Sequence, residues 1–277
     1  MRAEQRARRD SFLAKIGKRP IVMGILNLTP DSFSDGGRYV TTEAALSRAK
    51  QMEAEGCDII DIGGESTRPG ASPVSEGDEL ARVESIFDEL ASKLEVPLSI
   101  DTYKSRIAAR AIDLGAILVN DVWGLQKDPA MAQTIAATEA AVVVTHNRVE
   151  KNAAIDIMAD IKRFFGHSFA LAEAAGIPRS RVIIDPGVAF GKTTRQNIEV
   201  LRRLDELTEF GCPILVGISR KAFLGSLSER QIETQLVGTI AATLAAYAAG
   251  AALFRVHDVA EQVAALKVFH AIRYAPV

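Results

Sequence analysis

The chain has 277 residues, 48% of them hydrophobic, with 33 Lys and Arg against 35 Asp and Glu for a formal net charge of -2. That length and apolar content suffice for one large core or two small ones. The charge balance excludes a protein built to coat nucleic acid or an anionic membrane, so any anion site must be local.

The N-terminal stretch MRAEQRARRDSFLAKIGKRP is basic and lacks the apolar core of a secretory signal. Residues 1–19 read as a basic extension or helix, and 20–277 as one domain. Short apolar runs rich in Val and Ile then recur: 21–26, 57–62, 96–100, 116–119, 141–144, 181–185, 213–218 and 251–256. Uninterrupted runs of this length suit strands buried on both faces, as in a parallel sheet. Helical patterns lie between them at 42–56, 76–94, 104–115, 158–176, 197–211 and 259–272, several ending in Gly. Residues 237–254 are Ala-rich, broken by Gly250 and followed by Arg255. They read as a buried helix and a strand, not a membrane span. Alternating strand and helix predicts an α/β fold, a (β/α)8 TIM barrel in a single domain. The rival doubly wound sheet needs a G-x-G-x-x-G after its first strand, and none is present. Cys57 and Cys212 each sit before an apolar run and read as buried, reduced thiols of a cytoplasmic protein.

Each expected strand ends in polar residues: Asn27; Asp61; Asp101; Asn120 and Asp121; Thr145, His146 and Asn147; Asp185; Ser219, Arg220 and Lys221; Arg255, His257 and Asp258. One polar residue at a strand end is commonly the cap of the next helix. Eight in succession would converge on the mouth of a barrel, where such folds place their chemistry. The long segments after the first two runs become walls or lids. Arg68, Lys221, Arg255 and His257 offer cationic donors suited to a phosphate or diphosphate. Asp101, Asn120 and Asp185 offer acceptors suited to a guanidine-like ring edge. Together they suggest a flat heterocycle that carries a diphosphate. Residues 185–193, DPGVAFGKT, imitate a P-loop but have Pro186 where that loop needs Gly. His146 and His257 lack the neighbours of a zinc set.

Seven segments then carry a family resemblance: GILNLTPDSFSDGG (24–37), DIGGESTRPGA (61–71), SIDT (99–102), ND (120–121), DPGVAFGKT (185–193), VGISRKAFLG (216–225) and RVHDV (255–259). In this order they resemble dihydropteroate synthase over about residues 20–273. The resemblance implies condensation of 6-hydroxymethyl-7,8-dihydropterin diphosphate with p-aminobenzoate, giving 7,8-dihydropteroate and diphosphate. It implies a pterin site of Asp101, Asn120, Asp185, Lys221 and Arg255. It implies a diphosphate site of Asn27, Thr67, Arg68, Arg255 and His257, with Asn27 as ligand to Mg2+. The p-aminobenzoate site would comprise Phe33, Thr67, Pro69, Phe190, Ser219 and Lys221. Asp35, Arg68, Asp101 and Lys221 would act in catalysis, with Asp31 near Asp35 on the first loop. It further implies a homodimer acting on small molecules, with no nucleic-acid or membrane partner. The alternatives are a non-catalytic pterin-binding relative and a methyltetrahydrofolate-dependent methyltransferase of the same fold. Two departures stand out: Thr145 where the family has Met, and Ala189 where it has Gly.

Overall fold

The computed structural model describes residues 1–28, 42–65, 74–227 and 234–274. Helix α1 (Ala3–Leu13) precedes the first strand. Strands β1 (Ile21–Asn27), β2 (Ile59–Gly63), β3 (Leu98–Asp101), β4 (Leu118–Asp121), β5 (Ala141–Thr145), β6 (Val182–Asp185), β7 (Leu215–Val216) and β8 (Leu253–Val256) form an 8-stranded sheet ordered β6-β5-β4-β3-β2-β1-β8-β7. Every neighbouring pair is parallel. The ends meet where Ile184 of β6 bridges Ile214, and Ile184 N–H donates to the Pro213 carbonyl at 2.9 Å. The chain is therefore a single-domain (β/α)8 barrel, as its alternation predicts.

Helices α2 (Thr42–Ala54), α3 (Glu76–Lys93), α4 (Ser105–Leu114), α5 (Met131–Thr138), α6 (Ile157–Ala175), α7 (Thr194–Arg202), α8 (Ala222–Gly225), α9 (Thr234–Ala248) and α10 (Val259–Tyr274) cover the outside. Capping is explicit in the sequence. Asp156 accepts from the N–H groups of Met158 and Ala159 to start α6, and Thr193 forms a capping box with Gln196 to start α7. Gly176, at φ 82°, stops α6.

Three expectations change. The pattern over 197–211 is not one helix: α7 ends at Arg202 and a 3-10 segment, Leu204–Phe210, follows. Within that segment the Thr208 hydroxyl donates to the Asp205 carbonyl at 2.6 Å, a local bond that competes with the α ladder. Helix α5 was not foreseen because its Ala-rich turns show little periodicity. Helix α9 is only partly buried, with Val237 66% exposed, since a helix in the outer ring turns one face to solvent.

Inside the barrel, side chains alternate in and out with period two. The lower interior is apolar: Met23, Ile59, Leu118, Ala141, Val143, Ile183, Leu215 and Leu253 are buried in one cluster. Phe12 of α1 joins that cluster from below and is 1% exposed. Helix α1 is pinned there by Gln5, whose amide donates to the Ile112 (2.7 Å) and Ala116 carbonyls, and by Arg9, which donates to the Glu139 carbonyl. One step of two residues further up, the interior turns polar on β2, β4, β5, β6 and β8, while β1 and β7 present Ile25 and Gly217.

Candidate active site

That upper step creates the site. Two residues beyond Ile59 stands Asp61; beyond Leu118, Asn120; beyond Val143, Thr145; beyond Ile183, Asp185; beyond Leu253, Arg255. The β-ladders place Gly63 opposite Asp101, Asp101 opposite Asn120, and Thr145 opposite Asp185. Asn27, Asp101, Asn120, Asp185, Phe190, Ser219, Lys221, Arg255 and His257 all line a single cavity of about 730 Å3 at the C-terminal mouth. Gly217 belongs to its wall, and a Cβ there would lie 3.8 Å from Asp185 Oδ2. Phe33, Asp35, Thr67, Arg68 and Pro69, with Asp31, lie outside the described residues.

Arg255 organises the floor. Its Nε donates to Asp61 Oδ2 at 2.6 Å and its Nη2 to Asp101 Oδ2 at 2.7 Å. One guanidinium thus faces two buried carboxylates. Burial opposes its charge, but Asp61 and Asp101 outweigh that and hold the Arg255 pKa above its ordinary value. Burial pushes the Asp101 carboxyl up to about 7, against the pull of Arg255. Burial likewise raises Asp185 to about 6, opposed by the Gly187 N–H that donates to its Oδ1 at 2.7 Å. Among the described residues, Asp101 Oδ1 and Asn120 Oδ1 are buried without a hydrogen-bond partner. Buried acceptors normally find donors, so these atoms mark where a ligand's N–H groups would be welcome.

The opposite wall carries cations and rings. Lys221 Nζ stands 4.6 Å from the centroid of the Phe190 ring. His257 is fixed by Ser219, whose Oγ accepts from the His257 backbone N–H at 3.1 Å and lies 2.9 Å from Nδ1. Arg220, between the lining residues Ser219 and Lys221, is held at φ 56° and pairs with Asp258.

The segment after β6 is shaped by backbone conformations that are left-handed at every second residue: Gly187 at φ 66°, Ala189 at φ 69° and Gly191 at φ 59°. A Cβ at Gly187 would lie 1.8 Å from the His146 carbonyl oxygen, so only glycine fits. Ala189 takes the same conformation with a side chain, at a cost of roughly 1–2 kcal/mol. Asn197 Oδ1 accepts its N–H at 2.7 Å and helps to hold it there. Lys192 then folds back beneath the loop. Its Nζ reaches His146 Nδ1 at 2.7 Å and donates to the Gly187 (2.7 Å) and Phe190 (3.3 Å) carbonyls.

Sequence reasoning gave no role to Asp61 or Lys192. Asp61 is fully buried beneath the cavity, and its inward position follows from the period-two step beyond Ile59. Lys192 lies within the DPGVAFGKT segment, and nothing local announces that it turns back. Asp121 is not a site residue: its carboxylate accepts the Trp123 (2.9 Å) and Leu125 (2.7 Å) N–H groups and shapes the turn.

Residues 23–257 match the pterin binding enzyme family. The chain belongs to that family. The dihydropteroate synthase of Clostridium beijerinckii is 43% identical over 257 residues, covering 91% of this chain and 94% of that protein. A crystal structure of dihydropteroate synthase from Clostridium difficile, obtained in the presence of pteroic acid, superposes with a TM-score of 0.90. It is 48% identical and the match covers 93% of this chain and 98% of that one. The Xanthomonas albilineans enzyme in complex with 7,8-dihydropteroate superposes with a TM-score of 0.85 at 40% identity, covering 93% and 95%. These pterin binding enzymes share the barrel along nearly its whole length.

Proposed function

We propose that this chain is a dihydropteroate synthase of folate biosynthesis. It is a transferase that joins 6-hydroxymethyl-7,8-dihydropterin diphosphate to p-aminobenzoate and releases 7,8-dihydropteroate and diphosphate. One observation carries this reading. Unpartnered buried acceptors on Asp101 and Asn120, with Asp185 beside them, share a cavity with Lys221, Arg255 and His257. Acceptors suit the N–H edge of a pterin, and cations suit its diphosphate. A methyl donor would make no use of the cations.

The chemistry follows from the same arrangement. The bond between the pterin methylene carbon and the diphosphate oxygen breaks, and the electron pair leaves with the diphosphate. The amine nitrogen of p-aminobenzoate bonds to that carbon and loses a proton. Asp101, Asn120 and Asp185 hold the ring, with Lys221 and Arg255 beside them. Arg255 and His257 stabilise charge on the departing group. Phe190, Ser219 and Lys221 receive p-aminobenzoate, with Phe33, Thr67 and Pro69 completing that pocket. Asp35 and Arg68 act at the reacting carbon, and Thr67 and Arg68 also meet the anion. No covalent nucleophile is needed.

Asn27, at the end of β1 and on the cavity wall, would hold Mg2+. No group of three or more His, Cys, Asp and Glu among the described residues could enclose a metal. One amide oxygen therefore fits an ion that arrives on the diphosphate, keeping phosphate oxygens and waters as its other ligands. When bound, Mg2+ would neutralise diphosphate charge.

The chain acts as a cytoplasmic homodimer. Support for pairing comes from Val237 on α9 and Val268, Ile272 and Tyr274 on α10, all exposed on the outer ring. Among the described residues, no helix is long and apolar enough to cross a membrane. The function is tested by supplying the purified chain with both substrates and Mg2+ and resolving the products by chromatography. Dihydropteroate formation supports it; binding of the pterin without turnover would favour the non-catalytic reading.

A further inference from the structure

Asp61 does not line the cavity, yet it touches two residues that do. It is fully buried in the middle of β2. Its Oδ2 accepts from Asn120 Nδ2 of β4 at 2.9 Å and from Arg255 Nε of β8 at 2.6 Å. An ionised carboxylate accepts hydrogen bonds and donates none. The amide of Asn120 must therefore turn its nitrogen toward Asp61. Turned the other way, two oxygens would face each other at hydrogen-bond distance inside the barrel. The Asn120 oxygen is left pointing elsewhere, buried and without a partner among the described residues. Arg255 is constrained in the same manner. With Nε committed to Asp61, its Nη2 meets Asp101. One carboxylate thus fixes an acceptor from one side of the barrel and a cation from the other.

We propose that Asp61 is a positioning residue that sets Asn120 as an acceptor toward the pterin and holds Arg255 in register with Asp101. The proposal rests on the reading of the cavity as a pterin site. It deepens that reading by explaining why the ring is recognised through its donors. An asparagine left to itself is indifferent between the two orientations of its amide. A ligand edge that donates would then meet the wrong atom half the time, and the site would lose its preference for that edge. Asp61 acts through Asn120 and Arg255, not on the substrate.

The test is a reciprocal exchange, read by calorimetric titration with the pterin diphosphate, with melting temperature as a fold control. Asn120→Asp alone sets two carboxylates within hydrogen-bond distance and is expected to weaken pterin binding by about 100-fold or more. Adding Asp61→Asn turns an amide nitrogen toward the carboxylate at position 120 and ends the repulsion, while Arg255 Nε loses the oxygen it shared with Asn120, so restoration is partial. The exchange is expected to restore at least about tenfold of that loss. Adding Asp61→Leu to Asn120→Asp relieves the repulsion but donates nothing, and is expected to restore less. In an otherwise wild-type chain, Asp61→Leu is expected to weaken pterin binding by about 30-fold while the KM for p-aminobenzoate moves less than about threefold. Asp61→Asn, which can still offer an oxygen to Asn120, should stay within about fivefold of wild type.

Failure of the exchange to restore binding, or equal restoration by Leu and Asn, would overturn the positioning role. So would an Asp61→Leu protein that binds pterin like wild type. If the Leu variants do not fold, the exchange of Asp and Asn still decides, because it preserves side-chain volume. A wild-type chain that binds no pterin would instead overturn the reading of the cavity itself.

Discussion

Lys192 Nζ lies 2.7 Å from His146 Nδ1, and both side chains are buried. Asp160 Oδ2, an ionised carboxylate oxygen 3.2 Å from His146 Nε2, can only accept, so the ring proton sits on Nε2 and Nδ1 is left to accept from Lys192. Burial drives His146 down to about 4 and Lys192 down to about 7, so the imidazole is neutral at physiological pH. The hydrogen bond from His146 leads the interactions that hold Asp160 well below the usual carboxylate range. The outcome is mechanical. Lys192 clamps the carbonyls of Gly187 and Phe190, so the Phe190 ring is presented to Lys221.

Lys192→Met keeps much of the volume and removes the donors. It leaves His146 Nδ1 and the Phe190 carbonyl short of a donor, while the Gly187 carbonyl keeps the Phe190 N–H at 3.0 Å. Unfolding free energy should fall by about 2–4 kcal/mol in urea titration. The KM for p-aminobenzoate should rise more than the dissociation constant of the pterin, because Phe190 is displaced and Asp185 is not. Equal effects on both ligands would detach the clamp from Phe190.

Much of this arrangement was legible in the sequence, and the reason is periodicity. A strand buried on both faces leaves its apolar run intact until the interior opens, so Asn120, Asp185 and Arg255 mark the mouth by themselves. Asp61 stood at such a strand end too. It received no role because a polar strand-end residue looks the same whether it meets a ligand, caps a helix or lies beneath both. Lys192 was hidden because three left-handed residues reverse the chain, and the clash that forces glycine at 187 involves His146, a residue distant in sequence. The break after Arg202 was hidden because a 3-10 segment continues nearly the same spacing of apolar residues as a helix.

Pterin affinity should depend on pH with a definite sign. An ionised carboxylate accepts a ring N–H more strongly than a protonated one, and burial raises Asp101 and Asp185 to about 7 and about 6. Affinity should be greatest above about pH 7.5 and fall as the pH drops through 7 and 6, since protons then compete for those acceptors. Titration calorimetry across this range checks it. Affinity that rises toward pH 5.5 would mean that the carboxyls bind in their protonated form.

Thr145 stands where the resemblance leads one to expect a longer Met. It is 1% exposed, borders the cavity beside Asp185, and its hydroxyl is buried without a partner among the described residues. Thr145→Met removes that hydroxyl and adds polarizable packing toward the ring. Pterin binding should tighten several-fold, or about 1 kcal/mol, with p-aminobenzoate affinity nearly constant. Weaker pterin binding in a well-folded variant would show a pocket already packed around the threonine.

The foot of the barrel predicts the opposite pattern. Phe12 fills the lower interior, away from the mouth. Phe12→Ala should lower stability by about 3–5 kcal/mol while KM values for both substrates stay near wild type at a temperature where the variant is folded. Altered KM values with unchanged stability would place α1 in the site's function instead.

The most direct measurement is a single-turnover reaction of wild type and Asp185→Ala, each mixed with the pterin diphosphate, p-aminobenzoate and Mg2+, with dihydropteroate and diphosphate counted together. Wild type should release the two products in equal amounts. Asp185→Ala, folded by melting, should release neither, because losing a buried partner of the ring costs on the order of 2–5 kcal/mol in pterin binding. Diphosphate release without dihydropteroate from wild type, or a wild-type product yield from Asp185→Ala, would contradict the assignment of this cavity to the condensation.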